Sequence, residues 1–348
     1  MKKILSVLSV ATLSLSLVLT GCGKAQPTEP SKESASPGAE KKLSAKVGMV
    51  TDVGGVNDNS FNQSAWEALQ KLNKDTGIET NYAQSNGDAD YVPNLNNFVK
   101  EKWDLTWGIG FMMAEPIKKI ADQNPESKLA IIDAEVDAPN VASVLFKEQE
   151  GAFLAGVVAA EMSKTKKVGF VGGVKIPVIE RFEAGFLAGV KAANPEAKVI
   201  SIYTGAFDKP DQGKSTASGM YAQGVDIIFH ASGATGDGVF NEAADRKKKG
   251  ENVWVIGVDK DQSLNFGNEI TLTSMVKKVD EAVYKVSKDM AEGKWEGGKV
   301  VNLGIAEDGV GLASTSSINV PAEVLKKVDE FKAKIVSGEI KVPEKAEK

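Results

Sequence analysis

Three aspartates stand where a chain would build acceptors for hydrogen-bond donors. Asp52 closes the run Val47 to Thr51, Asp133 follows Leu129-Ala130-Ile131-Ile132, and Asp259 follows Val255-Ile256-Gly257-Val258. A carboxylate after an apolar run is also a common turn former or helix cap, so no single one identifies a site. Three of them in equivalent places are harder to assign to turns alone. Lys277 reads as the one plausible cation near such acids, and Phe61, Phe182 and Phe207 fall where loops could present flat faces. Gly233 opens the turn Gly233-Ala234-Thr235-Gly236-Asp237-Gly238, which suits close backbone approach to a neutral ligand. Like charges repel strongly in a desolvated site, so this set disfavours phosphates and free carboxylates. It suits a ligand with a planar ring at one end and hydroxyls or amines at the other.

Catalytic chemistry finds little support in the inventory. The single histidine, His230, ends the run VDIIFH, and a Ser-His-Asp triad would have to use it without a G-x-S-x-G elbow. It reads as a satisfied histidine at a strand end. One histidine and one cysteine, Cys22, leave no imidazole or thiolate metal centre, and no calcium-loop spacing occurs. No metal and no cofactor are expected. Gly213-Lys214-Ser215 ends like a phosphate-binding P-loop, but Asp208 stands where that motif requires glycine. The turn at Gly233 lacks G-x-G-x-x-G spacing and carries Asp237.

The elements that must hold these residues alternate as strand and helix, which implies parallel sheets with crossover helices. Strands are expected at Lys46–Thr51, Glu79–Ala83, Leu105–Gly108, Leu129–Ile132 and Val141–Phe146. A second series follows at Lys167–Val171, Val199–Tyr203, Val225–Phe229 and Val253–Val258. A helix from about Ser60 to Thr76 carries Ala65, Trp66, Leu69 and Leu72 at helical spacing, with Asn62 in its first turn. The segment Gln149–Met162 is apolar nearly all round and too short to span a bilayer, so it reads as a buried packing helix. The carboxyl ends of parallel strands share one edge, where ligands bind. Two lobes facing each other would thus line a cleft with Asp52, Asp133, Gly233 and Asp259. The expected division is 43–146 plus 261–305 for lobe 1, 147–260 plus 306–340 for lobe 2, and a tail at 341–348.

Composition agrees with a globular body. The chain has 348 residues, 42% hydrophobic and 26% charged, enough to bury a large core in two domains. Its formal net charge of −5 speaks against a nucleic-acid partner. Lys2 and Lys3 precede an apolar run from Ile4 to Leu19, and Leu19-Thr20-Gly21-Cys22 follows. That is a secretory signal, 1–21, ending at a small-residue cleavage site. The segment 22–42 is rich in Pro, Ser, Glu, Lys, Ala and Gly and reads as a flexible tether.

Longer stretches carry a resemblance. Leu19-Thr20-Gly21-Cys22 is similar to the lipobox of bacterial lipoproteins, which implies acylation of Cys22 and a membrane anchor. TDVGGVNDNSFNQSAWEA, AIIDAEVD, FEAGFLAGV, WVIGVDKDQ and LTSMVKK resemble the basic membrane protein (BMP) family of lipoproteins, specifically its purine-nucleoside receptors serving ABC importers. The resemblance runs from about Lys46 to Pro343. It implies a two-lobed type I periplasmic-binding-protein fold, each lobe a parallel sheet flanked by helices, with no enzymatic activity. A purine would stack between Phe61 and Phe207, with base-edge contacts from Asp52, Asn62 and Asp133. Ribose hydroxyls would be held by Asp259 and Lys277, while Phe182 and Gly233 match lining positions. Expected partners are the nucleoside, an ABC permease and its ATPase, around a monomer lipid-anchored on the extracytoplasmic face of the cell membrane. A sugar binder, a sensor or adhesin lipoprotein of the same fold, and a nucleoside-cleaving enzyme are the rival readings.

Overall fold

The structure, a computed structural model, describes residues 43–346. The expected signal segment, Cys22 and all of the expected tether lie outside them.

The first lobe opens on β1 (Lys46–Val50), whose last four residues are buried, as a strand covered on both faces requires. α1 (Phe61–Thr76) follows and ends on Gly77, a left-handed cap at φ 80° whose N–H returns to the Asn73 carbonyl. Then come β2 (Glu79–Ala83), α2 (Tyr91–Lys100), β3 (Leu105–Ile109), α3 (Ala114–Gln123), β4 (Leu129–Ile132) and β5 (Val141–Phe146). The chain next crosses into α4 (Glu148–Met162) and a second series. This comprises β6 (Lys167–Gly172), α5 (Pro177–Ala193), β7 (Lys198–Tyr203), α6 (Pro210–Ala222), β8 (Ile227–Ala231), α7 (Thr235–Lys248) and β9 (Trp254–Asp259). A short α8 (Ser263–Phe266) leads to β10 (Thr271–Lys277), and then α9 (Val279–Ala291), β11 (Val300–Leu303), β12 (Val310–Leu312) and α10 (Ala322–Val336) complete the body.

Two six-stranded sheets result, in the orders β2-β1-β3-β4-β5-β11 and β7-β6-β8-β9-β10-β12. The architecture is therefore α/β, with two similar sheets flanked by helices. In each, strand order reverses between the first and third strands of its series, which opens a crevice beyond their carboxyl ends.

Three features differ from the sequence reading. β10 joins the second sheet, parallel to β9, rather than returning to the first lobe with 261–305. The hop from β9 is short, so the fifth strand is laid down beside its neighbour before the chain leaves; the return begins after Lys277, when α9 packs on α1. β12 runs antiparallel to β10, so the second sheet is not wholly parallel. β8 begins at Ile227 rather than Val225, because Gly224, at φ 86°, and Val225 are used in closing α6.

Three chain crossings lie side by side. The Lys147 N–H donates to the Leu303 carbonyl at 3.0 Å, the Lys278 N–H to the Gly309 carbonyl at 2.9 Å, and the Ile305 N–H to Glu150 Oε2 at 2.8 Å. Adjacent crossings of this kind make a hinge.

α4 is buried along most of its length, as its all-round apolar sequence requires. It meets α5 through glycines: a Cβ on Gly189 would sit 2.0 Å from the Phe153 carbonyl oxygen, and one on Gly185 2.1 Å from that of Gln149. Backbone this close cannot yield by rotating a side chain. Gly189→Ala should therefore cost about 1–3 kcal/mol, the usual range for overpacking. A urea midpoint equal to wild type would show that the crossing gives way freely. No described helix is long and apolar enough to cross a membrane.

Candidate functional site

The carboxyl ends of the two sheets face one another across a cavity. Asp52 follows β1, Asp133 follows β4, Gly233 follows β8, and Asp259 and Lys277 end β9 and β10. All of them line this cavity, together with Phe61 and Asn62 at the start of α1, Phe182 on α5 and Phe207 in the loop before α6. Asp133 and Asp259 occupy equivalent positions at the ends of the fourth strands of their series. Both adopt left-handed backbone, at φ 72° and 63°, which Asp tolerates better than most residues.

The loop before α1 is built around a residue that sequence reasoning passed over. Asp58 is fully buried and accepts from the backbone N–H groups of Ser60, Asn62 and Gln63 at 2.9–3.0 Å. It thus satisfies the open donors of the helix N-terminus and complements its dipole. The Asn62 carboxamide is also engaged: Nδ2 donates to Asp52 Oδ1 at 2.8 Å and Asp58 Oδ2 at 2.9 Å, while Oδ1 accepts from the Asp52 N–H at 3.2 Å. Asn62 therefore holds Asp52 in place. Gly54 adds a donor to Asp52 Oδ1 at 2.8 Å, which leaves Oδ2 beside Gly110.

Opposite this loop sits a buried ion cluster. Lys277 Nζ lies 2.6 Å from Asp133 Oδ2 and 3.0 Å from Glu148 Oε1, and Arg181 Nε donates to Glu148 Oε2 at 2.7 Å. Lys277 is thus not the sole cation here, as Arg181 stands behind it. The Phe61, Phe146 and Phe182 rings lie 5.0–5.7 Å from the ammonium, in cation–π range. Asp133 Oδ1 is buried and has no hydrogen-bond partner, an arrangement native interiors rarely leave unanswered.

Electrostatics follow from burial. Desolvation pushes the Asp52 and Asp259 carboxyls up to about 7, against Asn62 in the first case and Lys277 in the second. It raises Asp133 to about 6 despite Lys277. Burial also works against the Lys277 ammonium, but Asp133, Glu148 and Asp259 outweigh it and hold that group above its ordinary value. Glu148 is pulled below its usual range, because Lys277 and Arg181 together overcome its desolvation.

The lobes meet through the same loop. Asn59, itself left-handed at φ 51°, donates to Asp237 Oδ2 and accepts from Gln262 and Asn265, each at 3.0 Å. The Ser60 hydroxyl donates to Asp259, and Lys260 pairs with Glu67. The arrangement is closed.

His230 lies outside the cavity lining. Gln262 Oε1 accepts from the Val258 N–H at 2.9 Å and lies 2.8 Å from His230 Nε2, so Nε2 carries the proton and Nδ1 accepts from Ser232, 3.3 Å away. Burial lowers the imidazole to about 4, which keeps it neutral. It fixes Ser232, a cavity residue, and has no reach to a substrate proton.

Known proteins are similar to this chain in sequence and in fold. A family model described as Bmp, ABC transporter substrate-binding protein PnrA-like, matches residues 45–346. The chain is 46% identical over 362 residues to the CD4+ T-cell-stimulating antigen of Listeria innocua, covering 99% of this chain and all of that one. It is 36% identical over 360 residues to the ABC transporter nucleoside-binding protein BmpA of Lactococcus lactis, covering 99% of each. Its fold is similar to that of an ABC transporter solute-binding protein from Aeropyrum pernix K1, with a TM-score of 0.79 and 32% identity over 86% of this chain and 94% of that one.

Proposed function

The chain belongs to the Bmp family of PnrA-like ABC transporter substrate-binding proteins, and we propose that the ligand it delivers is a purine nucleoside. Membership in such a family implies a ligand, a permease and an ATPase as partners, and binding rather than catalysis. The finer reading rests on one observation: aromatic faces and buried carboxyls share a closed cavity, and one of those carboxyl oxygens, Asp133 Oδ1, is buried without a donor. A nucleoside supplies donors. Its base offers a ring for Phe61 and Phe207 and N–H groups for Asp52 and Asp133; its ribose offers hydroxyls to Asp259 and Lys277. Asn62 supports the base contact by orienting Asp52. Cys22, acylated, would anchor the protein on the extracytoplasmic face of the membrane, since paired acyl chains give stable anchoring.

Titration calorimetry with guanosine, adenosine, inosine and free ribose tests this directly. Guanosine or another purine nucleoside should bind, ribose should not compete at similar concentration, and no free base should accumulate. Ribose binding as tightly would favour a sugar receptor. Phe61→Ala should weaken nucleoside binding by about 1–3 kcal/mol, the worth of a base–aromatic stack. Affinity unchanged by that substitution would take Phe61 out of the site.

A further inference from the structure

Two charged residues outside the cavity lining remain without a role. Glu148 is wholly buried at the first position of α4, one residue past the hinge crossing at Lys147, and Arg181 lies on α5 with its side chain 18% exposed. Neither touches the cavity. Glu148 is paired with the ammonium that does, Oε1 to Lys277 Nζ at 3.0 Å, and Arg181 with Glu148, Nε to Oε2 at 2.7 Å.

An ammonium has three N–H donors. One goes to Asp133 Oδ2 at 2.6 Å, while Glu148 Oε1, 3.0 Å away, holds the ammonium as an ion pair rather than through an aligned hydrogen bond. Asp133 keeps Oδ1 unpartnered and buried. Without Glu148, Asp133 would be the one carboxylate of the described residues left in ion-pair contact with the ammonium, Asp259 acting only from farther off. The ammonium would settle between both carboxylate oxygens and take from the ligand an acceptor and a donor at once. We propose that Glu148, oriented by Arg181, is a positioning residue that holds Lys277 off Asp133 Oδ1, so that both groups stay available to the ligand. Ion pairing makes the device self-consistent. Lys277 and Arg181 balance Asp133 and Glu148, so the cluster carries no net charge into a desolvated site.

The binding arm of the test rests on the nucleoside reading above, and a second arm does not. In the first, calorimetry compares guanosine with guanine for wild type, Glu148→Gln and the double variant Glu148→Gln/Arg181→Gln, which removes both charges and guards against an unpaired Arg181. Outer-shell partners of metal ligands contribute about 10–100-fold to affinity; by analogy, guanosine should bind at least about tenfold more weakly to both variants. Guanine, which lacks the ribose that Lys277 faces, should lose much less. Equal losses for the two ligands, or guanosine bound as by wild type in the folded double variant, would overturn the assignment. In the second arm, carbon-13 NMR follows the Asp133 carboxyl without ligand, identified by its disappearance in Asp133→Asn. Glu148→Gln should move its titration to lower pH, because the ammonium closes on it and a neighbouring negative charge is gone. An unmoved Asp133 titration overturns the positioning role even if no nucleoside binds. Failure of wild type to bind guanosine or guanine, with that titration shifted, would refute the nucleoside reading alone.

Discussion

Lys277→Met should lower the unfolding free energy by about 3–5 kcal/mol at neutral pH, the cost of removing one partner from a buried ion pair. Methionine keeps most of the buried lysine stem, so lost packing is a minor part. What disappears is the charge. Asp133 and Glu148 would remain buried, with Arg181 reaching only the latter. Asp133 would answer by holding its proton to higher pH than it does now. A carboxyl whose folded pKa rises further above its unfolded value stabilises the fold at low pH and loses that stability as pH rises. The deficit of Lys277→Met relative to wild type should therefore be smaller at pH 5 than at pH 7.5. Adding Asp133→Asn should recover much of it, since coupled residues depart from additivity. Urea denaturation at the two pH values measures all three proteins; a single variant as stable as wild type at pH 7.5 would mean that the ammonium compensates nothing.

The cleft was legible in the sequence for a physical reason. Chain direction in a parallel sheet puts every residue after a strand on one edge, so Asp52, Asp133 and Asp259 could be placed together without knowing which lobe faced which. Phe61 and Asn62 came with them, because a helix beginning just after the first strand must start at that edge. What was not legible depended on neighbours. β10 has the same apolar character whichever sheet it joins, so its return to the first lobe was a matter of counting and came out wrong. Glu148 and Asp58 are acids near helix starts, where dipole complementation is the ordinary explanation; their burial and the Arg181 partner appear only in three dimensions. Asn59 carried no signal beyond a turn, yet its side chain grips Asp237 and Asn265 across the cleft.

Raising the pH from about 5 to about 7.5 should open the ligand-free protein. Closure strips water from Asp52 and Asp259 and pushes their carboxyls up to about 7, with Asp133 at about 6. Opening restores water to them and lets them return toward the ordinary value near 4. Between those limits the closed form binds more protons than the open one, so closure weakens as pH rises. Each such carboxyl shifts the balance about tenfold per pH unit, and two together shift it about a hundredfold. Below about 4.5 the sign reverses for Glu148, which its cations hold ionised; the window from 5 to 7.5 lies above that. Small-angle scattering of the empty protein should report a larger radius of gyration at pH 7.5 than at pH 5. Asp52→Asn/Asp259→Asn should abolish most of the difference, since amides carry no charge for closure to strand. Bound ligand should do the same in wild type, because its donors pair with the ionised carboxylates and remove the reason to open. Identical scattering at both pH values in the empty protein would show that water reaches these carboxyls even with the lobes together.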